Sequence, residues 1–87
     1  MKVKEGFITK KVAGDVIVIP AEQALVDFKA IITLNETGAY LWELLQEDTT
    51  REVLVEKMLE EYDAEKDVIL TDVDEFLSVL EAKGLLS

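Results

Sequence analysis

The first third of the chain alternates between apolar and polar residues in the manner of a sheet. Residues 6–12 and 15–19 predict two short strands with a turn at residues 13–15 between them. The second strand is continuously β-branched, which is typical of a central strand covered on both faces. Pro20 is expected to end it, because proline cannot donate to a ladder. A third strand over residues 25–33 completes an antiparallel meander.

The third predicted strand has two faces, and the pattern leaves open which of them looks inward. As the terminal strand of a meander it would offer a row of unpaired backbone N–H and C=O groups, and no proline interrupts it. Such an edge is a template to which an extended peptide can add as a further strand. One face carries Val26, Phe28, Ala30, Ile32 and Leu34, and the other carries Leu25, Asp27, Lys29, Ile31 and Thr33.

The pattern changes from strand to helix at Asn35. Asn35 is a strong N-cap, and Glu36 is well placed at the positive end of the helix dipole. Leu34 can fold back over the first turn, and an apolar stripe at helical spacing follows. A first helix is therefore predicted over residues 36–46, with Trp42 packed between this helix and the sheet.

Two further helices are predicted, over residues 50–62 and 65–83. The sequence before the second helix fits a capping box in which Thr49 caps and Glu52 reaches back. Gly84 supplies a left-handed stop after the third helix. The inward side of the second helix is expected to carry Val53 or Leu54, Met58, Leu59 and Tyr62.

The third helix has two neighbouring stripes of different character. The core stripe consists of Ile69, Val73, Phe76, Leu77 and Leu80. The stripe beside it consists of Val68, Asp72, Glu75 and Val79. Scattered surface valines are common and would account for the second stripe. The lip of a groove would account for it equally, with apolar spots to receive side chains and acids to pair with a basic ligand.

Together these elements predict one domain over residues 1–87 with an α+β fold. The expected architecture is winged-helix-like, with a three-stranded antiparallel β-meander followed by three α-helices. No apolar run approaches the ~20 residues that span a bilayer, and no secretory signal begins the chain. The chain has no cysteine. We therefore expect a cytoplasmic protein with no membrane partner.

Charge argues against a nucleic-acid partner. The net charge of −10 is carried by the helical part, since residues 1–34 have a net charge of +1. A winged-helix DNA-binding protein is the structural alternative, but its recognition helix needs basic residues. The predicted third helix has only Lys66 and Lys83 against a majority of acids. This acidic half favours neutral or basic partners and repels phosphates.

The residue inventory argues against catalysis. Without His or Cys there is no imidazole base, no thiolate and no nitrogen or sulfur ligand for zinc. Of the nearest carboxylates, Asp74 projects from a different face of the third helix than Asp72 and Glu75 do. We therefore expect no catalytic residue, no metal site and no cofactor.

Several short motifs occur along this chain in a characteristic order. They are Val12-Ala13-Gly14-Asp15-Val16, Leu34-Asn35-Glu36-Thr37-Gly38-Ala39 with Trp42, Thr49 or Thr50, Glu60-Glu61-Tyr62-Asp63, Asp72-Val73-Asp74-Glu75-Phe76-Leu77 with Leu80, and Lys83-Gly84-Leu85-Leu86. Across residues 5–87 their order and spacing resemble the PqqD family, named for coenzyme PQQ synthesis protein D. Members often have a glycine after the first helix, where this chain has residues 46–48 without one.

The resemblance implies a peptide-recognition domain without catalysis of its own. Members capture the leader segment of a ribosomally made precursor peptide and present it to a modifying enzyme, often a radical SAM protein. The leader adds to the third strand, in the cleft between that strand and the third helix. The implied strand contacts are Leu25, Val26, Asp27, Phe28, Lys29, Ala30 and Ile31. The implied helix contacts are Val68, Asp72, Glu75, Phe76 and Val79.

Two questions stay open at this point. An acidic adaptor that docks on another protein through the third helix, with no leader peptide, is the alternative function. The oligomeric state is expected to be a monomer or a weak homodimer, since an unpaired strand edge can pair with a copy of itself.

Overall fold

Three strands followed by three helices form the fold of the described residues, 1–21 and 32–87, in the computed structural model. This order confirms the predicted α+β fold class. The strands are β1 (Phe7–Val12), β2 (Asp15–Pro20) and β3 (Ile32–Leu34). The helices are α1 (Glu36–Leu44), α2 (Arg51–Glu61) and α3 (Lys66–Ala82).

The sheet is antiparallel, with β2 between β1 and β3. Ala13 and Gly14 form the β1–β2 turn with φ values of 50° and 88°, the left-handed pair that a two-residue hairpin requires. Pro20 is the last residue of β2 and pairs with Phe7, so the strand runs one residue further than predicted. The ladder closes just beyond it, where the Ala21 N–H donates to the Gly6 carbonyl at 2.7 Å.

Strand β3 pairs with β2 over three residues, in the register Val16↔Leu34 and Val18↔Ile32. Leu34 is buried and Ile32 half-buried, whereas Thr33 between them is exposed. Within β3, Ile32 and Leu34 therefore look inward. The strand extends to Leu34, one residue beyond the predicted end. The earlier part of the predicted strand, residues 25–31, lies outside the described residues.

The first helix begins as predicted. The Asn35 side chain accepts a hydrogen bond from the Gly38 N–H at 2.8 Å and so satisfies a first-turn donor. The helix ends earlier than the predicted residue 46, because Leu45 at its C-cap has left the helical conformation with ψ near 2°.

The predicted capping box of α2 is wrong by one residue. Thr50 is the N-cap, and its hydroxyl accepts from the Val53 N–H at 3.3 Å. Glu52 is then only the second helical residue and cannot close the box, which needs an acid at the third position. The Thr49 N–H instead donates to the Met1 carbonyl at 2.8 Å, which fixes Thr49 outside the helix.

The core lies between the inner face of the sheet and the three helices. Trp42 is 5% exposed, which confirms its predicted packing in the core. In α2 the core residue is Leu54 rather than Val53, which is 41% exposed, and Val55 is buried without having been predicted so. The predicted core stripe of α3 divides into fully buried residues, Ile69, Val73 and Leu80, and half-buried ones, Phe76 and Leu77.

Helix α3 ends in a Schellman motif around Gly84. Gly84 has a φ of 72°, as the predicted left-handed stop requires. The Leu85 N–H donates to the Leu80 carbonyl at 2.8 Å, and the Gly84 N–H donates to that of Glu81 at 3.0 Å. Leu80 and Leu85 are both buried in the hydrophobic core, where the apolar pair that accompanies this motif is found.

The two ends of the chain are joined in a short antiparallel bridge that the sequence did not predict. Val3 pairs with Leu86, and the Lys4 N–H donates to the Leu85 carbonyl at 2.8 Å. The Val3 N–H also donates to the Leu45 carbonyl at 3.0 Å, after the end of α1. Val3 and Leu85 thereby enter the core at 4% and 1% exposure.

An exposed ion pair joins α2 to α3. Arg51 donates to both carboxylate oxygens of Asp74, at 2.6 and 2.9 Å. These hydrogen bonds hold the pKa of Asp74 below its ordinary value of 3.8. A lowered folded-state pKa means that the stabilisation is present above the ordinary value and is lost as the pH falls through the folded-state value.

We expect Asp74→Asn to lower the urea midpoint slightly at neutral pH, where the ion pair is charged. The difference from the wild-type protein should shrink as the pH falls from neutral through the lowered folded-state pKa of Asp74, because the wild-type carboxylate is then protonated as well. Urea titrations of both proteins across this range measure the effect. A difference that stays constant with pH would show that the ion pair does not cause it.

Candidate functional site

An open cleft of about 420 Å³ lies between β3 and α3. The start of α1 forms its floor, and Asp15, the first residue of β2, stands at its margin. The cleft is lined by Asp15, Ile32, Thr33, Leu34, Asn35, Thr37, Gly38, Leu41, Asp72, Glu75, Phe76 and Val79. It is thus built by residues that lie far apart in the sequence.

The apolar part of the cleft floor is formed by Leu34, Leu41 and the Phe76 ring. Gly38 determines its shape. A side-chain carbon added at Gly38 would lie 3.3 Å from the Phe76 ring and 3.0 Å from the capping oxygen of Asn35. Both distances are tighter than ordinary van der Waals contact. The absence of a side chain at Gly38 therefore lets the Phe76 ring approach α1 closely, beside the buried Leu34 and Leu41.

The helical wall contains four of the five residues predicted for it. Asp72, Glu75, Phe76 and Val79 line the cleft, and Val79 is 46% exposed. Val68 does not line the cleft, although it is 49% exposed. It lies one helical turn before Asp72, about 6 Å further along the same stripe.

Only the end of the strand wall, β3, lies within the described residues. Ile32, Thr33 and Leu34 line the cleft, and β3 is the terminal strand of the sheet order. Within residues 1–21 and 32–87, no further strand pairs with the outer side of β3. The predicted strand contacts Leu25, Val26, Asp27, Phe28, Lys29, Ala30 and Ile31 lie outside the described residues.

For several lining residues, the sequence predicts only a structural role. Asn35 and Leu41 had been identified as a helix cap and an apolar stripe residue, and Asp15 as part of a turn. The cap signal located Asn35 correctly, but nothing in the local pattern placed it in a binding site. Asp15 is 57 residues before Asp72 in the chain, so only the fold brings the two to one cleft.

Among the described residues that line the cleft, the charge is of one sign. Asp15 lies on the sheet side, and Asp72 and Glu75 lie on the helix side. No lysine or arginine of the described part of the chain lines it. An apolar floor between acidic rims suits an extended, partly apolar ligand.

The described residues contain no group of three or more His, Cys, Asp or Glu side chains that could hold a metal ion. In the same part of the chain, no helix is both long and apolar enough to cross a membrane.

A second groove lies on the opposite side of α1, against β1, with a volume of about 610 Å³. Its largest apolar residue, Trp42, is only 5% exposed, so it offers a ligand little surface. Ile8, 46% exposed, is the more accessible apolar side chain there. This groove is the internal comparison for any binding experiment on the β3–α3 cleft.

Comparison with known proteins gives one family and two structures. Residues 17–86 match the family model described as Coenzyme PQQ synthesis protein D (PqqD). A structure described as "TbiB1 in Complex with the TbiA(beta) Leader Peptide" is 23% identical with a TM-score of 0.75, over 100% of this chain and 95% of that one. One described as "Lasso peptide synthetase B1 complexed with the leader peptide" is 13% identical with a TM-score of 0.71, over 97% and 93%. These structures share the fold, and no curated protein matches the chain.

Proposed function

Since the matching model spans residues 17–86, the chain belongs to the PqqD family, and on that premise we propose that it is a recognition domain for a leader peptide. It binds the leader segment of a ribosomally synthesised precursor peptide and does not modify it. The observation that carries the proposal is the open cleft between the terminal strand β3 and the exposed stripe of α3. The similar structures, both described as complexes with leader peptides, support it.

The proposed mode of binding is strand addition along β3. Residues 25–31, which precede β3, would supply most of the ladder, and the α3 wall would receive side chains of the peptide. About four ladder bonds contribute about 1 kcal/mol each, and two apolar anchors contribute roughly 1.5–3 kcal/mol each. Ordering the peptide costs about 2–5 kcal/mol, and further cost comes from lost translational freedom. The balance therefore limits binding to micromolar affinity or weaker.

The peptide bound in this way is proposed to be presented to a modifying enzyme. We propose that this enzyme is a radical SAM protein. The choice of this partner is supported by the family alone. Reading the genes beside this one tests the choice directly, because a precursor peptide and its modifying enzyme would be encoded together. A neighbouring enzyme of another class would refute the radical SAM partner and leave the peptide-binding function in place.

The test of the function is a titration of isotopically labelled protein with the leader of a precursor peptide encoded beside it. Amide shifts should concentrate in residues 25–34 and along residues 72–79, because both walls of the cleft meet the peptide. Mass spectrometry of the peptide after incubation with this protein alone should show an unchanged mass. Shifts confined to α2, or to the β1–α1 groove, would contradict the proposed site.

The same titration distinguishes the proposed recognition domain from the alternative function. An acidic adaptor that docks through α3 would bind the modifying enzyme in the absence of any leader, and the leader would cause no shifts. Binding of the leader that does not depend on the enzyme is the result expected of a recognition domain.

A further inference from the structure

Resting on the proposed function, we infer that the peptide segment bound in the β3–α3 cleft carries a lysine or arginine next to an apolar residue. The apolar side chain occupies the floor beside Phe76, and the cation lies between Asp15 and the acids of α3. The inference names the class of peptide that this chain selects, which goes beyond the proposed function.

The first step is the position of the acids. Asp72 and Glu75 are three residues apart on α3, and side chains at this spacing are neighbours on a helix surface. Asp15 stands on the sheet side of the same cleft. A cation entering the cleft therefore meets carboxylates from two sides, whereas a peptide carboxylate would be repelled by both.

The second step is that these acids have no cation among the described residues. None of the three takes part in an ion pair within residues 1–21 and 32–87. Arg51 is bound to Asp74, and Lys57 lies 3.9 Å from Glu60. Among the described residues, the cationic side chains of α2 and α3 are thus either paired with an acid or absent from the cleft lining.

The third step is the apolar surface between the acids. Phe76 follows Glu75 and is half-buried at the cleft floor, while Val79 is 46% exposed on the same wall. The aliphatic stem of lysine or arginine can lie along such a surface while its charged end reaches the carboxylates. An aromatic ring adds a cation–π contact when the charge lies over its face. A neutral polar residue would neither cover the apolar floor nor neutralise the acids.

The experiment is selection from a displayed library of randomised 12-residue peptides against three proteins. They are the wild-type domain, the cleft variant Asp72→Asn/Glu75→Gln, and the control variant Glu56→Gln/Glu81→Gln. The control removes two exposed glutamates that do not line the cleft. Both variants have a net charge of −8 instead of −10, so they differ only in where the charge is lost.

Peptides selected by the wild-type and control proteins should be enriched in lysine or arginine beside an apolar residue. Those selected by the cleft variant should keep the apolar residue and lose the basic enrichment. A single wild-type-selected peptide should bind the cleft variant about fivefold more weakly and the control nearly unchanged, with the difference reduced in high salt.

Selected peptides without basic enrichment would overturn this inference and leave the peptide-binding function standing. Basic enrichment that persists in the cleft variant, or is lost equally in the control, would also overturn it, because the overall charge would then be responsible. Failure of all three folded proteins to select any peptide would refute both the inference and the proposed function.

Discussion

Val79→Arg should weaken binding of the leader peptide by about tenfold and leave the domain folded. Val79 is 46% exposed on the α3 wall of the cleft, so its replacement removes little from the core. Loss of an apolar contact of valine size is worth about 1.5 kcal/mol, which corresponds to about a tenfold change in affinity. Fluorescence anisotropy with a labelled leader measures the affinity, and urea denaturation measures the stability.

The chain offers two matched controls for this variant. Val53→Arg places the same charge and size on α2, at a valine that is 41% exposed and does not line the cleft. It should leave the affinity unchanged. Val68→Arg lies beyond the cleft on the α3 stripe, and its effect reports how far the peptide extends along the helix. Equal weakening by Val53→Arg would mean that the added charge, rather than the cleft, is responsible.

The order of the elements could be predicted because each is encoded by local signals. Asn35 caps α1 through an oxygen that reaches a donor three residues away, and Gly84 ends α3 through its own φ of 72°. The α3 stripe with Asp72 and Val79 followed from the helical repeat alone. These features need no knowledge of distant residues, so pattern was sufficient for them.

Several features that sequence reasoning missed are contacts between distant parts of the chain. Thr49 and Thr50 are equally good caps by composition, and the bond between Thr49 and Met1 decides between them. The burial of Val3 depends on its pairing with Leu86, 83 residues later. Asp15 reaches the cleft only because β2 is the central strand. Periodicity within one segment carries no information on such pairs.

Contacts at the C-terminal end of α3 also hold the cleft in place. Val79 and Leu80 lie in the last turns of α3, and the Lys83 N–H donates to the Val79 carbonyl at 3.0 Å. The Schellman motif then turns the chain so that Leu85 enters the core beside Leu80. The C-terminal end of the cleft wall is therefore fixed by residues that do not themselves touch the cleft.

Leu85→Ala should lower the free energy of unfolding by about 2–5 kcal/mol, the range for a large-to-small change at a fully buried site. Leu85 is 1% exposed. Single domains have a total free energy of unfolding of about 5–15 kcal/mol, so this substitution would remove a large part of it. Leu86→Ala is the matched control: Leu86 is half-buried, and its loss should be clearly smaller. Urea denaturation measures both. Equal losses would contradict the larger stabilisation assigned here to the full burial of Leu85. In buffer without urea, the Leu85→Ala protein that remains folded should bind the leader with nearly unchanged affinity, since Leu85 supports the wall without lining the cleft.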